Sequence, residues 1–201
     1  MPAIATGRGK VTIRQRQEFL NYSIGFLFCL LCVSLLLAAI AGLSPLQTIH
    51  WSLRDFAIGV GGAGLMVLAF GLITSVRDQA EKILGPALAD CRWYDLLILA
   101  CLVGLIEELL FRGVLEPWIA RWNPIFAFCS VNLFFGLLHS VSWLYAVIAT
   151  LLGGFLSLLA HGPGEFNLLR PIVAHAVYDY IGFVWLASLY RKSLPRVSDG
   201  E

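Results

Sequence analysis

Charge is scarce in this chain. Only 13% of its 201 residues are Asp, Glu, Lys or Arg, against roughly 25% in a soluble domain. The hydrophobic fraction is 59% and the mean hydropathy +0.80, so a water-soluble globular protein is excluded. A formal net charge of +1 excludes a nucleic-acid or polyanion binder, because no dense basic surface exists to neutralise phosphates. A disulfide framework is also missing. The five cysteines are odd in number and mostly lie in apolar runs. Cys29 and Cys32 have C-x-x-C spacing without the βαβ context of a redox site, and read as small apolar packing residues. No internal repeat, low-complexity tract or soluble domain is present.

What the chain does have is hydrophobic runs. About six of them, near residues 24–43, 56–76, 94–118, 124–139, 143–160 and 171–190, are long enough or nearly so to cross a bilayer as helices. The expected fold class is therefore all-α, a polytopic transmembrane helical bundle. The first run is longer than a signal-peptide core and reads as an anchor, despite the small residues Ala39-Ile40-Ala41. Residues 77–92 mix charge with Ile83, Leu84 and Leu88 and read as an interfacial helical connector, broken at Gly85-Pro86. Asn123-Pro124 reads as a helix start, a capping side chain followed by proline.

Four parts follow: a basic N-terminus (1–18), two spans and the connector (19–93), a core (94–190) and a tail (191–201). Arg8, Lys10, Arg14, Arg16, Arg77, Lys82, Arg92, Arg191, Lys192 and Arg196 all fall on one side of a six-span threading. Arg54, Arg121 and Arg170 fall on the other. The positive-inside rule then places both termini in the cytoplasm, and the expected location is a bacterial inner membrane.

The few charges that do enter the apolar runs are the candidates for function, since each costs about 2.5–3.5 kcal/mol at mid-bilayer. Glu107, Glu108 and Arg112 share the third run. Glu108 and Arg112 are four apart on one helix face and can pair. Glu107 is turned about 100° away and remains free for water or another helix. In the fourth run Asn132, Phe135 and His139 share a face; in the sixth, His175 and Asp179 do. Any one of these can be a structural residue, and the Glu108–Arg112 pair a structural salt bridge. Together they are least costly if they converge on one wet cavity.

Glu107 and His139 each lie sixteen residues from Asn123, so antiparallel packing brings them level. His175, only four residues past Pro171, joins them on one of two conditions. Either the fourth span breaks near His139, or the segment 162–170 dips inward among protein.

Such a cluster allows more than one chemistry. Glu107 with His139 can take a proton from water and make it a nucleophile. His175 and Asp179 can then stabilise an oxyanion, with a deprotonated Asp179 instead holding the His175 tautomer. Two histidines and a carboxylate can also bind zinc, although H-E-x-x-H is absent. No serine or cysteine sits at matching depth beside a base.

Three segments, E-E-L-L-F-R (107–112), F-G-L-L-H (135–139) and H-A-V-Y-D (175–179), resemble in order and spacing the motifs of the CAAX prenyl protease and bacteriocin-processing (CPBP, or Abi) family of glutamic intramembrane endopeptidases. The resemblance covers about residues 94–182. It implies an all-helical core with a water-filled cavity, Glu107 and His139 as the water-activating pair, and His175 with Asp179 on the oxyanion side. The last position is asparagine in many members, and aspartate here. No cofactor is implied and zinc is disfavoured. The implied partners are membrane lipid and a peptide or protein substrate, lipidated or membrane-tethered. Some members act as immunity or scaffold proteins, so a non-catalytic role is the alternative.

Overall fold

The computed structural model describes residues 5–194, with side chains from residue 15. Arg8, Lys10, Arg14 and Arg196, on which part of the charge argument rests, lie outside the described side chains. All regular structure among the described residues is helical. Helix α1 spans Ala5–Ala41, α2 Leu53–Leu72, α3 Thr74–Ala89, α4 Trp93–Leu110, α5 Glu116–Ala120, α6 Pro124–Leu138, α7 Trp143–Ala160 and α8 Leu169–Ser193. A 3₁₀ turn, Pro45–Thr48, precedes α2, and a π-helical turn, Phe111–Leu115, joins α4 to α5.

Among the described residues, four helical stretches are long and apolar enough to cross a membrane: Gln15–Ala41, Leu53–Leu72, Trp143–Ala160 and Leu169–Ser193. The third expected span is α4, which carries three acids, Asp95, Glu107 and Glu108, within its 18 residues. The fourth, α6, has 15 residues and reaches only about 22 Å, short of a ~30 Å hydrocarbon core.

Helix α8 is the axis of the fold, packed by α2, α3, α4 and α7, while α6 lies on α7 and α1 flanks α4. Close approach is made by small residues, as expected where lipid supplies no hydrophobic drive between helices. A Cβ on Gly59 of α2 would lie 2.8 Å from the Arg170 carbonyl oxygen, and one on Gly104 of α4 would lie 2.7 Å from the Ala176 nitrogen. Leu, Phe and Trp side chains such as Phe26, Leu65, Leu68 and Leu151 are exposed on outer faces, the pattern of a lipid-facing surface. The N-termini of α2, α6 and α7 are capped by Ser52, Asn123 and Ser142, each accepting a backbone N–H three residues on.

The connector differs from its expected form, because α3 runs unbroken through Pro86. Pro86 is exposed, so the Lys82 carbonyl that loses its i+4 donor faces outward where solvent or headgroups can satisfy it. Gly85 faces inward against Tyr190. Nor is α3 only a surface element: Val76, Ala80 and Leu88 join Phe70, Leu96 and Leu186 in a buried apolar cluster. Cys29 and Cys32, expected to pack as small apolar residues, are exposed, as are Cys101 and Cys129, whereas Cys91 is buried.

Candidate active site

Glu107 sits on the last turn of α4, fourteen residues from its start. Its neighbours come from two other elements. Glu107 Oε2 lies 3.6 Å from His139 Nε2 and 3.9 Å from His175 Nε2. The antiparallel packing read from the sequence thus brings Glu107 level with His139, and both conditions for His175 to join them are met. Helix α6 stops at Leu138 with His139 as its C-cap. Asn167, Leu168, Leu169, Arg170 and Pro171 turn inward and are buried. The inward turn is tied down by Asn167, which accepts from His50 N–H at 3.0 Å and donates to the His50 carbonyl at 2.7 Å. Arg170 is not an exposed loop charge: its Nε donates to Asp55 at 2.6 Å and the side chain is 4% exposed.

Each ring nitrogen has a defined neighbour. His139 Nδ1 donates to the Phe135 carbonyl at 2.8 Å, which leaves Nε2 facing Glu107. The ring stacks on Phe135, centroids 4.3 Å apart. His175 Nδ1 donates to Glu108 Oε1 at 2.8 Å, and its Nε2 faces Asp179 Oδ2 at 3.6 Å as well as Glu107. The sequence left Asp179 to hold the His175 tautomer and gave Glu108 to Arg112 alone. The structure gives both partners to one oxygen of Glu108, because Arg112 Nη1 also donates to Oε1, at 3.0 Å. Asp179 stands on the other side of the ring.

Arg112 lies in the π turn just before Pro117, where an inserted residue breaks the α-helical register and such turns often mark functional positions. Both it and Glu108 are fully buried. Its Nη2 donates to Asn132 Oδ1 at 2.9 Å and to the Gly153 carbonyl at 2.6 Å, and its Nε donates to Ser157 Oγ at 3.3 Å. Phe135 closes over the guanidinium, whose carbon is 4.8 Å from the ring centre.

A cavity of about 250 Å³ opens beside the cluster. His139, His175 and Asp179 give it polar atoms; Met66, Phe70, Leu84, Ile148, Leu152 and Phe183 make it apolar elsewhere. Glu107 Oε2 and Glu108 Oε2 are buried without a protein hydrogen-bond partner. Among the described residues, no three His, Cys, Asp or Glu side chains gather as a metal site.

Sequence reading missed Glu116, Ser157, Tyr145 and Tyr178. The tyrosines line the cavity, and Glu116 and Ser157 are buried behind Arg112. The one available signal was that Glu116 follows Arg112 by four residues.

A membrane bundle in which a 15-residue helix ends at a histidine beside a buried glutamate defines a class: helical membrane proteins with an interior polar site at a helix end. Comparison then places the chain within that class. Residues 88–181, which contain all three motif segments, match the family described as type II CAAX prenyl endopeptidase, Rce1-like. An uncharacterized protein of Bacillus subtilis (strain 168), YpbD, is 32% identical over 160 residues, covering 72% of this chain and 79% of the relative. The chain belongs to the Rce1-like family and has its CAAX-protease-type membrane fold. No solved structure matches it.

Proposed function

We propose that this protein is an intramembrane endopeptidase in which Glu107 and His139 activate a water molecule against a peptide bond. The observation that carries the reading is the spacing of Glu107 Oε2, 3.6 Å from His139 Nε2 and 3.9 Å from His175 Nε2. These separations are too long for direct hydrogen bonds and suit one bridging water. With His139 Nδ1–H committed to Phe135, Nε2 offers a lone pair. A water there donates one hydrogen to Glu107 and the other to His139, and turns its own lone pair toward the cavity.

As the water oxygen bonds to the scissile carbonyl carbon, its proton passes to Glu107 or His139 and the carbonyl π electrons move to oxygen. His175, doubly protonated, donates Nε2–H to that oxyanion while Glu108 holds Nδ1–H. A protonated Asp179 supplies a second donor in place of the amide that an asparagine would offer. Collapse of the intermediate breaks the C–N bond, and the proton held by the pair goes to the leaving amine. Donor and acceptor roles are thus complete without a metal. The apolar walls favour a substrate with an apolar or lipid-bearing segment near the cleaved bond, tethered to the membrane.

The test uses purified protein in proteoliposomes with prenylated C-terminal peptides and amphipathic precursor peptides as probes. Glu107→Gln and His139→Ala are each expected to lower cleavage at least about 100-fold, the lower end for general-base catalysis, with thermal unfolding near wild type; chelator is expected to leave cleavage unchanged. Cleavage retained in Glu107→Gln overturns the reading in favour of a non-catalytic scaffold or immunity role. Loss of cleavage on chelation, restored by zinc, overturns the metal-free scheme.

A further inference from the structure

Behind the candidate active site the polar cluster continues. Ser157 on α7 is fully buried and its hydroxyl stands among four polar groups: Glu116 Oε2 at 2.6 Å, Asn132 Nδ2 at 3.1 Å, Asn132 Oδ1 at 3.2 Å and Arg112 Nε at 3.3 Å. A serine has one hydrogen to give and two lone pairs to receive with. The carboxylate is both the nearest and the stronger acceptor, so the hydrogen goes to Glu116. The lone pairs then face Arg112 Nε–H and Asn132 Nδ2–H. Asn132 Nδ2 also donates to the Phe128 carbonyl at 2.8 Å, which leaves its Oδ1 to Arg112 Nη2. Each group's role is set by the one before it. Glu116 sets Ser157, Ser157 and Asn132 set Arg112, and Arg112 with His175 sets the occupied oxygen of Glu108.

The far end of the chain of bonds opens elsewhere. Glu116 and Ser157 line a second cavity of about 640 Å³, walled by Pro45, Pro117, Phe128 and Phe166, with exposed His161 at 3.9 Å from Glu116 Oε1. The Glu108–Arg112 pair therefore lies between the two cavities, and the site on one side is braced from the other.

We propose that Glu116 and Ser157 are positioning residues, which act through Arg112 and Glu108 to hold a hydrogen on His175 Nδ1, the one that stays when the doubly protonated ring loses its other. Without the Glu116 acceptor the Ser157 hydrogen turns to Asn132 Oδ1, in competition with Arg112 Nη2. The guanidinium then shares the Asn132 oxygen with Ser157, and its hold on Glu108 is loosened. Glu107 and Asp179, both facing Nε2, then draw the proton to that nitrogen. The role attributed to His175 rests on the protease reading above; its tautomer does not.

The test is ¹⁵N-histidine NMR of the full-length protein in detergent micelles, at alkaline pH where the ring is neutral. The chain has four histidines, and His175 is assigned by its loss in His175→Gln. Wild type is expected to show one tautomer, protonated at Nδ1. Ser157→Ala and Glu116→Ala are expected to show a mixture with the Nε2 tautomer, and Glu116→Gln, whose amide oxygen still accepts from Ser157, to restore the single form. A His175 signal unchanged in Glu116→Ala overturns the proposal and leaves Glu116 as packing. Should Ser157→Ala fail to fold, Glu116→Ala decides, since Glu116 stands at a cavity wall and its truncation leaves only the rotatable Ser157 hydroxyl without its partner. A shifted tautomer in a protein that still cleaves with Glu107→Gln would sink the protease reading alone; an unshifted one with Glu107→Gln inactive would sink this inference alone.

Discussion

Arg112 makes four hydrogen bonds to four different residues through Nε, Nη1 and Nη2, with its side chain wholly buried. A planar fork is suited to that task in a way that an ammonium is not. Removing it would strand Glu108 as a buried carboxylate and leave Asn132 Oδ1 and the Gly153 carbonyl unpaired. Arg112→Met is therefore expected to destabilise the protein by about 3–5 kcal/mol. Arg112→Lys should recover only part of that loss. Both are measured by equilibrium unfolding of the purified variants in mixed micelles, and a near-neutral Arg112→Met would mean that water already reaches Glu108. At this scale the Glu108–Arg112 pair was legible from a spacing of four on an apolar helix. Ser157 was not, because a lone serine in an apolar helix carries no signature until the residues across the interface are known. Glu116 was masked by the π turn, which changes the angle between positions 112 and 116 from the one an α-helix would give.

Helix contacts decide where the two histidines stand. Gly104 lets α4 approach α8 at Ala176, next to His175, and the atoms an added methyl would strike, Ala176 N at 2.7 Å and Cα at 3.0 Å, are backbone and cannot rotate aside. Gly104→Ala is expected to cost about 1–3 kcal/mol as an overpacking change. It should also lengthen the His175–Glu108 bond, with cleavage falling alongside stability. Gly64→Ala on α2 is the counterpart: nothing lies within 4 Å of its added methyl, and no loss of stability or activity is expected. Thermal unfolding of the two variants side by side checks both, and equal losses would refute the packing argument. The spans themselves were readable from hydropathy, and the start of α6 from Asn123-Pro124. So was its end, since the apolar run closes at His139, the residue that caps α6 after Leu138. What no run of apolar letters announces is that the His139 ring turns back onto the Phe135 carbonyl and so presents its other nitrogen toward Glu107. Gly85-Pro86 misled, since a proline on the outer side of a packed helix leaves only an outward carbonyl unpaired.

The molecule has two ends, each clasped by polar bonds between elements distant in sequence. At one, Arg16 on α1 holds Asp95 at the start of α4 through bonds of 2.7 and 2.6 Å, and Arg191 at the end of α8 donates to the carbonyls of Ala89 and Cys91. At the other, Arg170 holds Asp55, and Leu168 N–H donates to the Thr48 carbonyl at 3.1 Å. Arg77, Lys82, Arg92 and Lys192 cluster at the first end, which the positive-inside rule assigns to the cytoplasm. A membrane-impermeant maleimide tests that assignment. Of the native thiols, Cys91 is buried and its pKa is pushed up to about 11 by that burial, so it reacts slowly. Cys29, Cys32, Cys101 and Cys129 lie on helix faces that lipid would cover and are replaced by serine for the assay. Gln47→Cys, beside the Thr48 clasp, is expected to be labelled in intact cells, and Ser193→Cys, beside the Arg191 clasp, only in inverted membrane vesicles. Both positions are exposed, so silence at either would come from the membrane and not from packing. The reverse pattern would invert the topology while leaving the bundle intact, whereas labelling of both from one side would break the two-ended architecture.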